Sequence, residues 1–145
     1  MLRIAQIESA HLEQVAQIEQ LCFSQPWSQK SLELLLGENA VGLVAIEDGC
    51  VQGYVGMTFV LDEGQITNLA VHPNARRRGI GRMLMDALRT LSVEKGIAYL
   101  SLEVRESNIA ARTLYAGCGW KECGLRKNFY SHPQENAVIM ICELL

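Results

Sequence analysis

The stretch that most restricts what this chain can fold into runs from Gln65 to Gly96. An alternating segment, Gln65 to Val71, reads as a strand; a loop opens at His72-Pro73; a helix then carries Ile80, Met83, Leu84, Ala87, Leu88 and Leu91 at steps of three and one, ending near Gly96. That spacing gathers the apolar residues on one stripe, which has to be covered by another layer. Here the helix is expected to lie on a sheet.

The flanking sequence supplies the rest of that sheet. Leu2 to Ile7 is a weak strand, and Ser9 is a candidate cap for a helix with Leu12, Val15, Ile18 and Cys22 on one face. After Pro26-Trp27, Ser28 can cap a short helix through Leu32, Leu35 and Leu36, stopped near Gly37. Val41 to Ile46 and Val51 to Leu61 read as strands joined at Asp48-Gly49, and a turn around Asp62-Glu63-Gly64 would reverse the chain into Gln65 to Val71.

Beyond the secure helix, Ala98 to Val104 alternates Leu100, Leu102 and Val104 against Tyr99, Ser101 and Glu103, so Glu103 points away from the aliphatic face. A short helix over Asn108 to Ala116 and two strands, Trp120 to Tyr130 and Ala137 to Leu144, follow. The expected fold class is α/β (α+β): one domain over residues 1–145, a mixed, mostly antiparallel central sheet with helices on both faces.

Composition narrows the function classes. With 49% hydrophobic residues, 145 residues suffice for one core. No apolar run reaches the roughly 18 to 20 residues that span a bilayer, and Met1 to His11 lacks a signal-peptide pattern, so a cytoplasmic protein without a membrane partner is expected. The five cysteines, Cys22, Cys50, Cys118, Cys123 and Cys142, form no C-x-x-C pair, and no metal site is expected. A net charge of −3 argues against direct nucleic-acid binding.

The loop from His72 to Arg82 holds the first chemical signal. The first N–H groups of a helix have no intrahelical partner and favour an anion, and Gly79 and Gly81 let phosphate oxygens approach the backbone. Two rival readings stand beside it: Arg76-Arg77-Arg78 as a solvated charge run, and a nucleic-acid patch. A dinucleotide fingerprint would need a glycine at Leu84, and the lysine and hydroxyl of a nucleoside-triphosphate loop are missing.

Arg76-x-x-Gly79-x-Gly81, after a strand ending in Leu69-Ala70-Val71, resembles the pyrophosphate-binding signature of the GNAT acetyltransferases. The resemblance implies acetyl-CoA as co-substrate. The amides of Arg77, Arg78, Gly79, Ile80, Gly81 and Arg82 would hold the coenzyme A diphosphate, and the backbone of Leu69, Ala70 and Val71 would pair with the pantetheine arm like an added strand.

A second block is more specific. Leu102-Glu103-Val104-Arg105-Glu106-Ser107-Asn108 through Tyr115, with Gly119-Trp120, places Asn108, Ala111 and Tyr115 at helical spacing directly after the strand carrying Glu103. Together with Pro26-Trp27-Ser28, Leu61-Asp62-Glu63 and Arg126-Lys127-Asn128-Phe129-Tyr130, it resembles the bacterial ribosomal-protein-alanine N-acetyltransferases over nearly the whole chain. By position, that resemblance implies Glu103 as general base, Tyr115 as general acid, Asn108 as a cofactor ligand, and Trp27 and Tyr130 at the border of the peptide site.

The expected partner is then a protein N-terminus, that of a ribosomal protein. An α-amine has a pKa of about 7.7 to 8.0, so a base is needed near neutrality before it can attack a thioester. Cys118 has no histidine motif beside it, which favours direct attack over an acyl-enzyme. A lysine side chain or small amine as acceptor, a cofactor-binding sensor and an RNA-binding module remain the alternatives.

Overall fold

The computed structural model describes residues 1–144. Strands β1 (Leu2–Gln6), β2 (Ala40–Glu47), β3 (Cys50–Val60), β4 (Glu63–Val71), β5 (Tyr99–Arg105), β6 (Lys121–Tyr130) and β7 (Glu135–Glu143) form one seven-stranded sheet in the order β1-β2-β3-β4-β5-β7-β6. Every neighbouring pair is antiparallel except β4 with β5. Helices α1 (Leu12–Cys22), α2 (Gln29–Leu32), α3 (Ile80–Glu94) and α4 (Ile109–Gly117) cover it. Among the described residues, no helix is long and apolar enough to cross a membrane.

Two apolar clusters show which helix covers which face. One joins Leu43, Val55, Met57, Leu100, Leu102 and Val104 to Ile80, Leu84 and Leu88 of α3 and to Tyr115 of α4. The other joins Val44, Ile46, Tyr54 and Ala70 to Val15 and Ile18 of α1 and to Leu32 of α2. Alternation along each strand sends successive side chains to opposite layers, so a single sheet serves both.

Most of the expected elements form, and the differences have local causes. Ser9 does not cap α1: residues Ser9–His11 make a 3₁₀ turn, α1 begins at Leu12, and His11 Nδ1 accepts the Glu8 N–H at 3.0 Å. Ser28 does cap α2, its Oγ accepting the Ser31 N–H at 3.1 Å, and a 3₁₀ turn over Glu33–Leu36 leads to Gly37. The β3–β4 reversal uses Leu61, at φ 55°, and Asp62, so β4 starts at Glu63 and Gly64 lies inside it. On α3, Met85 is buried and Met83 is partly exposed, the reverse of the expected stripe at that turn.

At the outer edge, β6 pairs only with β7 among the described residues, and its register slips between Glu122 and Gly124 and again between Arg126 and Tyr130. Nearly all of β6 is solvent-exposed.

Gly53 of β3 shows how tightly the central strands sit. A Cβ there would lie 2.9 Å from the Ala70 carbonyl oxygen of β4, a backbone atom that cannot swing aside. Gly53→Ala is expected to destabilise the protein by about 1–3 kcal/mol, read as a lower urea midpoint at unchanged m-value.

Candidate active site

Strands β4 and β5 pair over only three positions, Glu63 with Tyr99, Gly64 with Leu100 and Gln65 with Ser101. Immediately afterwards β4 carries a bulge: Gly56 faces Asn68 and Met57 faces Ile66, which leaves Thr67 as the extra residue. A bulge bends and twists its strand. The two parallel strands separate beyond it, and among the described residues the edge of β4 that includes Leu69, Ala70 and Val71 pairs with β3 alone. Backbone N–H and C=O groups along that edge suit an extended ligand that carries amides of its own.

The same strand leads into the glycine loop. Arg77 at φ 67° and Gly79 at φ 77° bracket Arg78, and α3, fifteen residues long, begins at Ile80. Left-handed residues in this place turn successive amides toward one concavity at the positive end of a helix dipole. Among the described residues, no atom beyond Gly79's chain neighbours lies within 4 Å of where its Cβ would be, so the approach is open. The donor set therefore fits a diphosphate.

Most of the arginine side chains there are engaged within the protein. Arg76 Nε donates to the Val71 carbonyl at 3.3 Å, Arg78 grips Glu47 through two bonds of 2.9 and 2.7 Å, and Arg82 donates to the Gly117 carbonyl at 3.3 Å. The Arg78 hydrogen bond holds the half-buried Glu47 carboxyl below its usual range. Bonds of this kind brace the loop against its neighbours, and they leave less of the run as a free basic patch.

Glu103 lies on β5, two residues past the last β4–β5 pair and across from Ile139 of β7. Its side chain is mostly buried, with Arg126 Nε 3.9 Å from Oε1. Tyr115 is anchored in the opposite layer, packed with Trp120 at a ring separation of 6.0 Å. Burial pushes the Tyr115 phenol well above the ordinary tyrosine value, and Tyr130 adds to the shift. Tyr130 is itself raised, by burial first and then by the charge of Glu103, so it is close enough to sense both groups. The carboxylate and the phenol thus belong to opposite faces of the sheet, with Tyr130 sensing both.

Other expected site residues have structural duties as well. Asn108 is the N-cap of α4, its Oδ1 accepting the Ala111 N–H at 3.1 Å. Trp27 packs against the α1 cluster, and its N–H is bonded to Glu19. Tyr130 stacks under Arg105, whose guanidinium is 4.5 Å from the ring centroid and also donates to the Pro133 carbonyl at 2.9 Å. Glu135 ties the segment down: hydrogen bonds from Ser107, with help from Arg105, hold its carboxyl below the usual range.

Sequence reasoning passed over Glu19. It is 1% exposed, and its carboxylate accepts the Trp27 N–H at 2.8 Å, the Tyr54 hydroxyl at 2.6 Å and the Asn68 amide at 3.3 Å. The only local signal is a glutamate directly after Ile18, at the edge of the apolar stripe of α1.

Residues 12–120 match the family described as acetyltransferase (GNAT) family. This chain belongs to the GNAT acetyltransferases. The match spans the glycine loop, β5 and α4, the elements that frame the parted strands, and GNAT enzymes use acetyl-CoA. A relative from Haemophilus influenzae, a [ribosomal protein bS18]-alanine N-acetyltransferase, is 40% identical over 97% of this chain and 98% of its own length. The crystal structure of the ribosomal-protein-S18-alanine N-acetyltransferase from Escherichia coli superposes with a TM-score of 0.93 at 34% identity, covering 99% of this chain and 94% of that one. Ard1 from Thermoplasma volcanium has a TM-score of 0.90 at 28% identity, over 99% and 98% of the two chains.

Burial also raises the Tyr54 phenol far above the ordinary value, with Glu19 adding to the effect. The folded GNAT domain therefore holds the protons of Tyr54 and Tyr115 more tightly than the unfolded chain does. Their contribution to stability is complete below about pH 10 and is lost as pH rises through the folded-state values. A phenolate absorbance titration should show Tyr54 and Tyr115 still protonated well above the ordinary tyrosine range, becoming titratable on unfolding.

Proposed function

We propose that this enzyme transfers the acetyl group of acetyl-CoA to the N-terminal α-amine of an alanine-initiated protein, with ribosomal protein bS18 as the first candidate. The observation that carries the reading is the parting of β4 from β5, with an unpaired strand edge and a glycine loop on one side and Glu103 on the other. The acceptor is supported by what the 40%-identical relative acts on, which its full-length coverage makes comparable.

In this mechanism the amides of Arg77, Arg78, Gly79, Ile80, Gly81 and Arg82 bind the diphosphate. Leu69, Ala70 and Val71 align the pantetheine arm by main-chain pairing. Trp27 and Tyr130 border the acceptor, and Asn108 lies at the cofactor side as the cap of α4. Glu103 removes the proton of the incoming ammonium, directly or through water, so that the amine can attack the acetyl carbonyl in one ternary complex.

Tyr115 stands where the thiolate departs. Its raised pKa keeps it protonated, which suits a donor, but it also makes complete transfer to a free thiolate of pKa about 8.5 unfavourable. The phenol therefore acts while the carbon–sulfur bond is breaking, when sulfur is still gaining charge.

Acetyl-CoA should raise the melting temperature, because a ligand at a hundred times its Kd adds about 2.7 kcal/mol to a folded state that alone binds it. The acceptor is decided by offering alanine-initiated peptides, the same peptides blocked at the N-terminus with free lysines, and a polyamine. Acetyl found by mass spectrometry mainly on the α-amine is the expected result; acetyl on lysine overturns the assignment.

Two substitutions separate the roles. Glu103→Gln should lower kcat by roughly 10² to 10⁴ with little change in acetyl-CoA affinity, and activity should recover toward alkaline pH where the amine is already neutral. Tyr115→Phe should lower kcat without such recovery. Wild-type turnover in either variant removes that residue from the mechanism.

A further inference from the structure

Glu19 is a buried carboxylate with no basic side chain paired to it among the described residues. An unpaired buried charge is costly, and a helix that merely needed covering would carry an aliphatic residue at such a position. All of its hydrogen-bond donors are neutral, and they come from three separate parts of the fold. Trp27 N–H belongs to the connection between α1 and α2, the Tyr54 hydroxyl to β3, and the Asn68 amide to β4 at the residue after the bulge.

The α1–α2 connection has one further link worth noting. The Ser131 hydroxyl donates to Gln25 Oε1 at 3.4 Å, which brings this connection against the β6–β7 turn next to Tyr130. One carboxylate thus fixes how far the segment bearing Trp27 stands from the strand edge at Asn68. We infer that Glu19 is a positioning residue for the acceptor: it holds the Trp27 segment in register with β4, so that an N-terminus bound there meets the acetyl group in line. The inference rests on the placement of the acceptor at Trp27 proposed above.

The test compares a purely structural role with a positioning one. The double variant Glu19→Met/Tyr54→Phe removes the carboxylate together with the phenol it would orphan, so that the loss of stability is confined to the Trp27 N–H and the Asn68 amide left without their acceptor. If the carboxylate served only the stability of the core, that repacking would lower the melting temperature and leave the acceptor KM unmoved. Positioning by Glu19 predicts instead that a variant still folded at the assay temperature has the KM for an alanine-initiated peptide raised about tenfold, while kcat and the KM for acetyl-CoA stay within about twofold.

Glu19→Gln gives a second route that does not depend on the repacked core. Its single oxygen is drawn to the two donors Tyr54 and Asn68, which leaves its NH₂ facing the Trp27 N–H, donor against donor. Amide exchange at Trp27 should accelerate together with the rise in acceptor KM, while the amides of Val15 and Ile18 stay protected. Trp27→Ala is the control for the underlying placement. If it leaves the acceptor KM unchanged, the acceptor does not bind at this segment. Where Trp27→Ala raises that KM, an acceptor KM within about twofold of wild type in both Glu19 variants overturns the role of Glu19, as does an equal rise in the KM for acetyl-CoA.

Discussion

The separation of β4 from β5 is the constraint on which the rest of this molecule depends. Parallel strands that stayed paired to their ends would seal the sheet, and Val71 and Glu103 would be two more residues in a continuous ladder. Three paired positions and then a bulge at Thr67 open it instead. The glycine loop is delivered by the end of the same β4, so one local irregularity sets both the free strand edge and the direction in which α3 starts. Bulges are features that folds keep for such re-aiming.

Once the sheet is open, its two layers supply different chemistry. The layer under α3 and α4 is strongly apolar and raises the phenol of Tyr115 by desolvation. Glu103 sits on the other face, where Arg126 comes near it and its charge reaches Tyr130. A carboxylate and a neutral phenol of this kind would lose their difference if both shared one environment. Alternation along β5 prevents that, because Leu102 and Val104 enter the apolar layer while Glu103 faces away from it.

Local pattern was enough to read much of this and not the rest. The period-two run around Glu103, the period of α3, the Ser28 cap and the Asp48-Gly49 hairpin are all set by neighbours within a few residues, and the structure has each of them. Gly64 is ambiguous in sequence because glycine serves two needs, a turn or a close approach, and here it is the second, a Cβ there falling 2.7 Å from Leu100 Cδ2 and 2.8 Å from Met57 Sδ. Met83 and Met85 exchanged places because the helix face is decided by what packs on it. Glu19 was illegible for a deeper reason. Its partners Tyr54 and Asn68 lie 35 and 49 residues away, so only the folded chain makes the position buried. The individual roles of the site residues came from family resemblance, since geometry alone places Glu103 and Tyr115 on opposite faces of the sheet without saying which way a proton moves.

The outermost strand, β6, has a consequence of its own. Ten residues with one unpaired backbone edge are a template on which another chain's strand could grow, the usual beginning of edge-to-edge aggregation. Here the ladder is broken twice, and Lys121, Glu122, Arg126 and Lys127 place charges along it. An incoming strand would find neither a continuous run of donors and acceptors nor an uncharged surface to lie on. The irregular β6 thereby lets an open-ended sheet stay a single molecule's sheet.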